Sequence, residues 1–122
     1  MIKQAIIPLA GQGTRLLPLT SVFAKELLPI NGKPGIEYIL DECVEAGIKE
    51  IIFIISKKKQ LIKKYFYNDS FYKKIIKTKK DKRIKYEYEK IKKFKKIIKF
   101  VYQNKPLGTG DAVLKTKKFI KD

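Results

Sequence analysis

The chain has no histidine and no tryptophan, one cysteine, and only two arginines, Arg15 and Arg83, among its 29 basic residues. A lone thiol, Cys43, closes no internal disulfide and builds no clustered metal site, which fits a reducing compartment. No apolar stretch approaches the roughly 18 residues needed to cross a bilayer. The first hydrophobic run is broken by Gly11, Gln12, Gly13, Thr14 and Arg15, too early for the apolar core of a secretory signal. The expectation is a cytoplasmic chain with no membrane partner. At 122 residues it is one domain or part of one, long enough to bury a core around a small sheet but too short for a second domain.

Acidic residues are also scarce: 12 against 29 basic ones leave a net charge of +17. Such a balance ordinarily suggests nucleic acid or an acidic membrane surface. Its distribution argues otherwise. Residues 57–99 hold 19 basic and 4 acidic side chains, so this one block supplies +15, and the rest of the chain is nearly balanced. Lysine makes up 27 of the 29, whereas specific base readout and phosphate clamping favour the planar arginine fork. Tyrosines and phenylalanines interleave with these lysines at helical spacing, which reads as core aromatics beneath a solvated lysine face. Nucleic-acid binding is therefore not expected, although a basic RNA-binding module is the rival of a different class.

What is present alternates in period. Lys3 to Leu9 is a short apolar run feeding a glycine-containing loop from Ala10 to about Thr20, as a buried strand does. Ile36, Ile39, Leu40, Cys43 and Val44 form an amphipathic helical stripe, with Pro34 in its first turn and Gly47 past its end. Ile51 to Ile55 is a continuous β-branched and aromatic run, the mark of a strand covered on both faces. Leu61, Ile62, Tyr65 and Phe66 begin a second helical region that runs to about Lys96 with unplaced breaks. Ile97 to Tyr102 is a third strand, Pro106 to Gly110 a turn, and Ala112, Val113, Thr116, Phe119 and Ile120 a last helical stripe. The order β-α-β-α-β-α predicts an α/β fold with an open, mostly parallel sheet, helices on both faces and ligands at the carboxyl ends of the strands. The pattern stops at Asp122 where a strand is next expected, so the reading is a fragment, incomplete at the C-terminus.

The first loop, Leu9 to Thr20, carries two glycines and then Arg15. Glycines let backbone N–H groups approach phosphates, and arginine can fork onto two phosphate oxygens. Taken alone, the two glycines are as well explained by an ordinary strand-to-helix turn. A Walker loop would need Gly-Lys-Ser/Thr after a four-residue spacer, and the dinucleotide fingerprint a third glycine where Leu16 stands.

The stretch Gly11 to Thr20 nevertheless matches every position of a G-x-G-T-R-x-x-P-x-T pattern, and in this it resembles the sugar-phosphate nucleotidyltransferases. The resemblance continues through Ala24-Lys25-Glu26-Leu27-Leu28-Pro29, with Ala24 where the family has proline, and through Lys33-Pro34 and Glu45 to Ile48. It resumes in Gln103 and Pro106 to Val113, so that it spans nearly the whole chain and is weakest from about 57 to 96. It implies a Rossmann-like, GT-A-like fold in which residues 1–122 are the nucleotide-binding portion of a single domain. It also implies uridylyl transfer from UTP to glucose 1-phosphate, giving UDP-glucose and pyrophosphate in the complete enzyme. Thymidylyl transfer is the alternative, disfavoured because those members typically carry Gln where Glu26 stands.

Carried over residue by residue, the resemblance makes Leu9, Ala10, Gly11, Gly13 and Thr14 part of a nucleotide cradle, with Arg15 and Lys25 as the catalytic cations on the phosphates. Gln103 would read the base, since one amide carries both a donor and an acceptor that match the imide edge of uracil. Gly108 would bring its backbone against that base. Glu26 either faces the base or has a structural role, and Asp111 reads as a helix-start residue rather than a metal ligand. Mg²⁺ is implied as cofactor, with its main aspartate expected beyond Asp122 and no metal ligand in the chain itself. Homo-oligomerisation is left open.

Overall fold

The computed structural model describes residues 2–11, 14–103 and 108–120. Its centre is the strand Glu50–Ile55, β4, whose Ile51 to Ile55 are all fully buried. A run with no polar face is stable only where both faces are covered, and here both edges are paired as well. On one edge lies β1, Gln4–Pro8, in parallel register from Gln4 opposite Glu50 to Pro8 opposite Ile54. On the other lies β5, Ile98–Tyr102, parallel from Ile51 opposite Ile98 to Ile55 opposite Tyr102. The sheet order is β1-β4-β5.

The alternation of side chains along β4 assigns the two layers. Ile51, Phe53 and Ile55 join one cluster with Ile36 and Leu40 of helix α1 (Gly35–Glu45), Ile62 and Phe66 of α2 (Gln60–Phe66), and Ile91 and Phe94 of α4 (Lys82–Ile97). Ile52 and Ile54 face the other way. On that side the C-terminal helix α5 (Thr109–Leu114) packs on β1, and Ala112 and Thr116 of this segment are buried. The expected α/β order with covered sheet faces is what forms.

Three features differ from the expectation. The lysine-rich block is three helices, α2, α3 (Asp69–Thr78) and α4, broken at residues 67–68 and 79–81. The second break falls at Asp81, whose side chain caps α4 by accepting from the Arg83 backbone N–H at 2.8 Å. The last helix ends at Leu114 and is followed by one 3₁₀ turn, Lys117–Phe119. A small antiparallel hairpin, β2 (Pro29–Ile30) and β3 (Lys33–Pro34), precedes α1. Its turn is Asn31-Gly32, with φ of 52° and 77°, the left-handed pair that a two-residue hairpin requires.

The aromatics of the lysine-rich block divide: Phe66, Tyr88 and Phe94 are buried and Tyr65 and Tyr72 half-buried, whereas Tyr67, Phe71 and Tyr86 are exposed, so the expected core aromatics account for only part of them. Phe66 and Phe94 enter the core, and Tyr72 stacks on the buried Tyr88 with centroids 5.2 Å apart. Beneath them lies a buried carboxylate. Glu37 of α1 accepts a hydrogen bond from the Tyr65 hydroxyl of α2 and pairs with Lys90 of α4 at 3.2 Å, so one charge ties three helices. Burial, and then the bond to the Glu37 carboxylate, push the Tyr65 phenol well above its ordinary value.

The folded chain thus holds the Tyr65 proton to higher pH than the unfolded chain does. That contribution to stability is complete below about pH 10 and is lost as pH rises above it. Urea denaturation at about pH 9 and about pH 11 should show a steeper loss of unfolding free energy in the native chain than in Tyr65→Phe.

Candidate functional site

Because β1, β4 and β5 run in one direction, their carboxyl ends open on the same edge of the sheet. Three connections leave there: the loop after Pro8, the turn after Ile55 and the segment after Tyr102. The first and the last are each held by a backbone hydrogen bond to β4 that prolongs the ladder. The Leu9 N–H donates to the Ile54 carbonyl at 2.7 Å, and the Gln103 N–H to the Ile55 carbonyl at 2.8 Å. Between the first loop and the turn after β4 is a cleft of about 520 Å³. It is lined by Ala10 and Gly11, by Leu17, by residues 20–24, and by Ser56, Lys58 and Lys59.

Lys25 does not line this cleft itself but approaches Gly11, which does, from a 3₁₀ turn, Lys25–Leu27. Its ammonium nitrogen lies 3.7 Å from where a Cβ on Gly11 would stand, so the cation sits beside the open face of the loop glycine, and a side chain there would meet it. Lys25 and Arg15 are both exposed, and among the described residues neither pairs with a carboxylate. They are left to meet an anion from solution. Arg15 sits on the 3₁₀ turn Thr14–Leu16. Leu9 is buried and Ala10 half-buried, anchoring the loop that Gly11 continues. Gly13, and with it Pro106 and Leu107, lies outside the described residues.

The turn carrying Lys25 is fixed from below. Its neighbour Glu26 pairs with Lys59 at 2.7 Å, and the two side chains are only 8% and 7% exposed. This links the loop before the hairpin to the turn after β4, 33 residues away. The Glu26 carboxylate is therefore engaged by Lys59. In sequence Lys59 is one lysine in a run of three, and nothing local marks it as the buried one.

At the other end of the edge, the buried Gln103 donates from Nε2 to the Gly108 carbonyl at 3.1 Å and to Asp111 Oδ2 at 3.0 Å. Gly108 has φ of 91°, a conformation that L side chains rarely adopt, immediately before α5. Gln103, Gly108 and Asp111 thus form one group. Among the described residues there is no cluster of three or more His, Cys, Asp or Glu placed to hold a metal ion.

A glycine loop with an unpaired lysine beside it, following a strand of a parallel sheet, defines an α/β protein whose strand ends can accept an anion. Residues 4–122 match the nucleotidyl transferase family model, and the chain belongs to that family. It is 43% identical to the UTP–glucose-1-phosphate uridylyltransferase of Mycoplasma pneumoniae over 122 residues, covering 98% of this chain and 40% of that protein. The UDP-glucose pyrophosphorylase of Acinetobacter baumannii superposes with a TM-score of 0.80 at 34% identity, over 99% of this chain and 42% of that one. The UTP-bound form from A. baumannii superposes with a TM-score of 0.76 at 34% identity, over 98% and 42%. The chain thus spans about two fifths of the length of the relatives it matches.

Replacing Lys59 with methionine leaves Glu26 buried without a counter-charge, which should cost about 3–5 kcal/mol. Adding Glu26→Gln to Lys59→Met should recover most of that loss. Urea midpoints of the two variants and the native chain measure it, and equal midpoints for Lys59→Met and native would contradict the pairing.

Proposed function

We propose that this chain supplies the nucleotide-binding part of an enzyme that transfers uridylyl from UTP to glucose 1-phosphate. In that reaction a phosphate oxygen of the sugar phosphate attacks the α-phosphorus of UTP. The bond from the α-phosphorus to the bridging oxygen breaks, and pyrophosphate leaves as UDP-glucose forms. The attacking oxygen is already anionic, so the reaction needs alignment and charge stabilisation rather than a general base.

The observation that carries the reading is the approach of Lys25 to Gly11 in the cleft, with the exposed Arg15 on the same loop. Backbone N–H groups of a glycine loop and two unpaired cations suit a triphosphate whose negative charge grows on the leaving group. Two relatives support uridine as the base: the M. pneumoniae protein by its name, and the UTP-bound A. baumannii structure, which is similar over nearly the whole chain. In this reading Arg15 and Lys25 neutralise the phosphates, Gly11, Gly13 and Thr14 cradle them, and Gln103 with Gly108 and Ala10 meets the uracil. A cytoplasmic location, where UTP is available, belongs to the same reading.

Among the described residues no three His, Cys, Asp or Glu gather as a metal site, and Glu26 and Asp111 are engaged by Lys59 and Gln103. The proposed role of Mg²⁺ is therefore as a companion of the triphosphate, and no step here depends on it.

Titration of UTP with Mg²⁺ into the native chain should raise its melting temperature, with ATP giving a smaller shift and dTTP competing weakly. In Arg15→Ala and Lys25→Ala the UTP affinity should fall by roughly tenfold or more, as expected for a lost charge-assisted phosphate contact. Equal responses to UTP and ATP, or full UTP affinity in both variants, would contradict the assignment.

A further inference from the structure

The amide of Gln103 has two chemically different ends, and its neighbours decide which one is turned outward. Both groups facing Nε2, the Gly108 carbonyl at 3.1 Å and the Asp111 carboxylate oxygen at 3.0 Å, are acceptors without a proton to give. Turning the amide over would set its oxygen against two other oxygens. The two Nε2 hydrogens are thereby both engaged, and among the described residues Oε1 takes no donor.

We infer that Asp111 is a positioning residue that makes Gln103 an acceptor-only reader, so that a base is selected by a ring N–H donor. This rests on the proposed uridine reading and sharpens it. Uracil offers its N3–H to such an oxygen. In the register that sets the ring nitrogen opposite Oε1, cytosine presents a lone pair at N3 and adenine one at N1, and each would stand oxygen-to-nitrogen with no hydrogen between them. The pairing expected from sequence, with donor and acceptor of the amide both used by uracil, is narrowed to one contact. Thymine also carries N3–H, so this contact separates uridine from cytidine but not from thymidine.

Asp111 is placed for the role by its fold position. It lies in the first turn of α5, a helix packed on β1, while Gln103 prolongs β5 through its bond to Ile55. The carboxylate carries the stronger of the two restraints, because an ionised acceptor binds an amide hydrogen more tightly than a neutral carbonyl. Its other contact is a long one, to the exposed Lys115 at 3.9 Å.

Two measurements on the whole chain test this together. The first is the side-chain NH₂ resonance pair of Gln103 in ¹⁵N-labelled protein, assigned by its disappearance in Gln103→Glu. The second is the affinity ratio of UTP to CTP. In the native chain the pair should be dispersed and slow to exchange, and UTP should be favoured. Asp111→Ala should move the pair toward solvent-like positions and reduce the UTP-to-CTP ratio by roughly tenfold, the usual consequence of losing one hydrogen bond to a charged group. Asp111→Asn, whose oxygen still accepts, should restore most of both. An unmoved pair in Asp111→Ala overturns the positioning role whatever the nucleotide data. A moved pair with an unchanged UTP preference overturns the link from orientation to selection. A native chain that orients the amide but binds UTP and CTP alike sinks the uridine reading, and base selection with it, while the orientation stands.

Discussion

The parallel pairing of β4 with a neighbour on each edge is the constraint on which the other features rest. It buries Ile51 to Ile55 completely and brings the ends of three strands to one edge. Two further hydrogen bonds, from Leu9 and Gln103, continue the ladder beyond the strands. These bonds set the positions from which the glycine loop and Gln103 depart. An antiparallel neighbour would have sent one of them to the opposite edge.

Charge in this protein is sorted by burial rather than by sequence. Twelve of the 27 lysines lie on α2, α3 and α4, and several lie over aromatic rings, as Lys92 does over Tyr88 at 4.8 Å. Lys59 is buried against Glu26, and Lys25 is left without a carboxylate beside Gly11. The same side chain therefore serves as solvated surface, as internal strut and as an anion-facing cation. The difference lies in what the fold puts next to it, because an ammonium is worth most where water is excluded and a partner is fixed.

Buried carboxylates perform matching structural work. Glu37 joins α1, α2 and α4 below the sheet, and Glu26 joins two loops above the strand ends. Asp111 orients an amide instead of a backbone. With each of these acids engaged, Lys25 beside Gly11 keeps its charge free of a carboxylate partner, a setting that favours an anionic ligand.

Much of this was legible in the chain alone. The runs at Lys3 to Leu9, Ile51 to Ile55 and Ile97 to Tyr102, the stripe from Ile36 to Val44 and the Gly11 to Thr20 loop carry their signals in consecutive residues, so local pattern sufficed for the fold class and for the family. The Asn31-Gly32 hairpin also had a local signal, though one overshadowed by the longer motif around it. Which lysine is buried, what engages Glu26 and which end of the Gln103 amide faces outward were decided by tertiary structure. Those properties belong to pairs such as Glu26 and Lys59, 33 residues apart, that meet only when parallel strands return the chain to the same edge. No periodicity or propensity of either partner encodes the meeting, whereas burial and hydrogen-bond satisfaction in the folded chain enforce it.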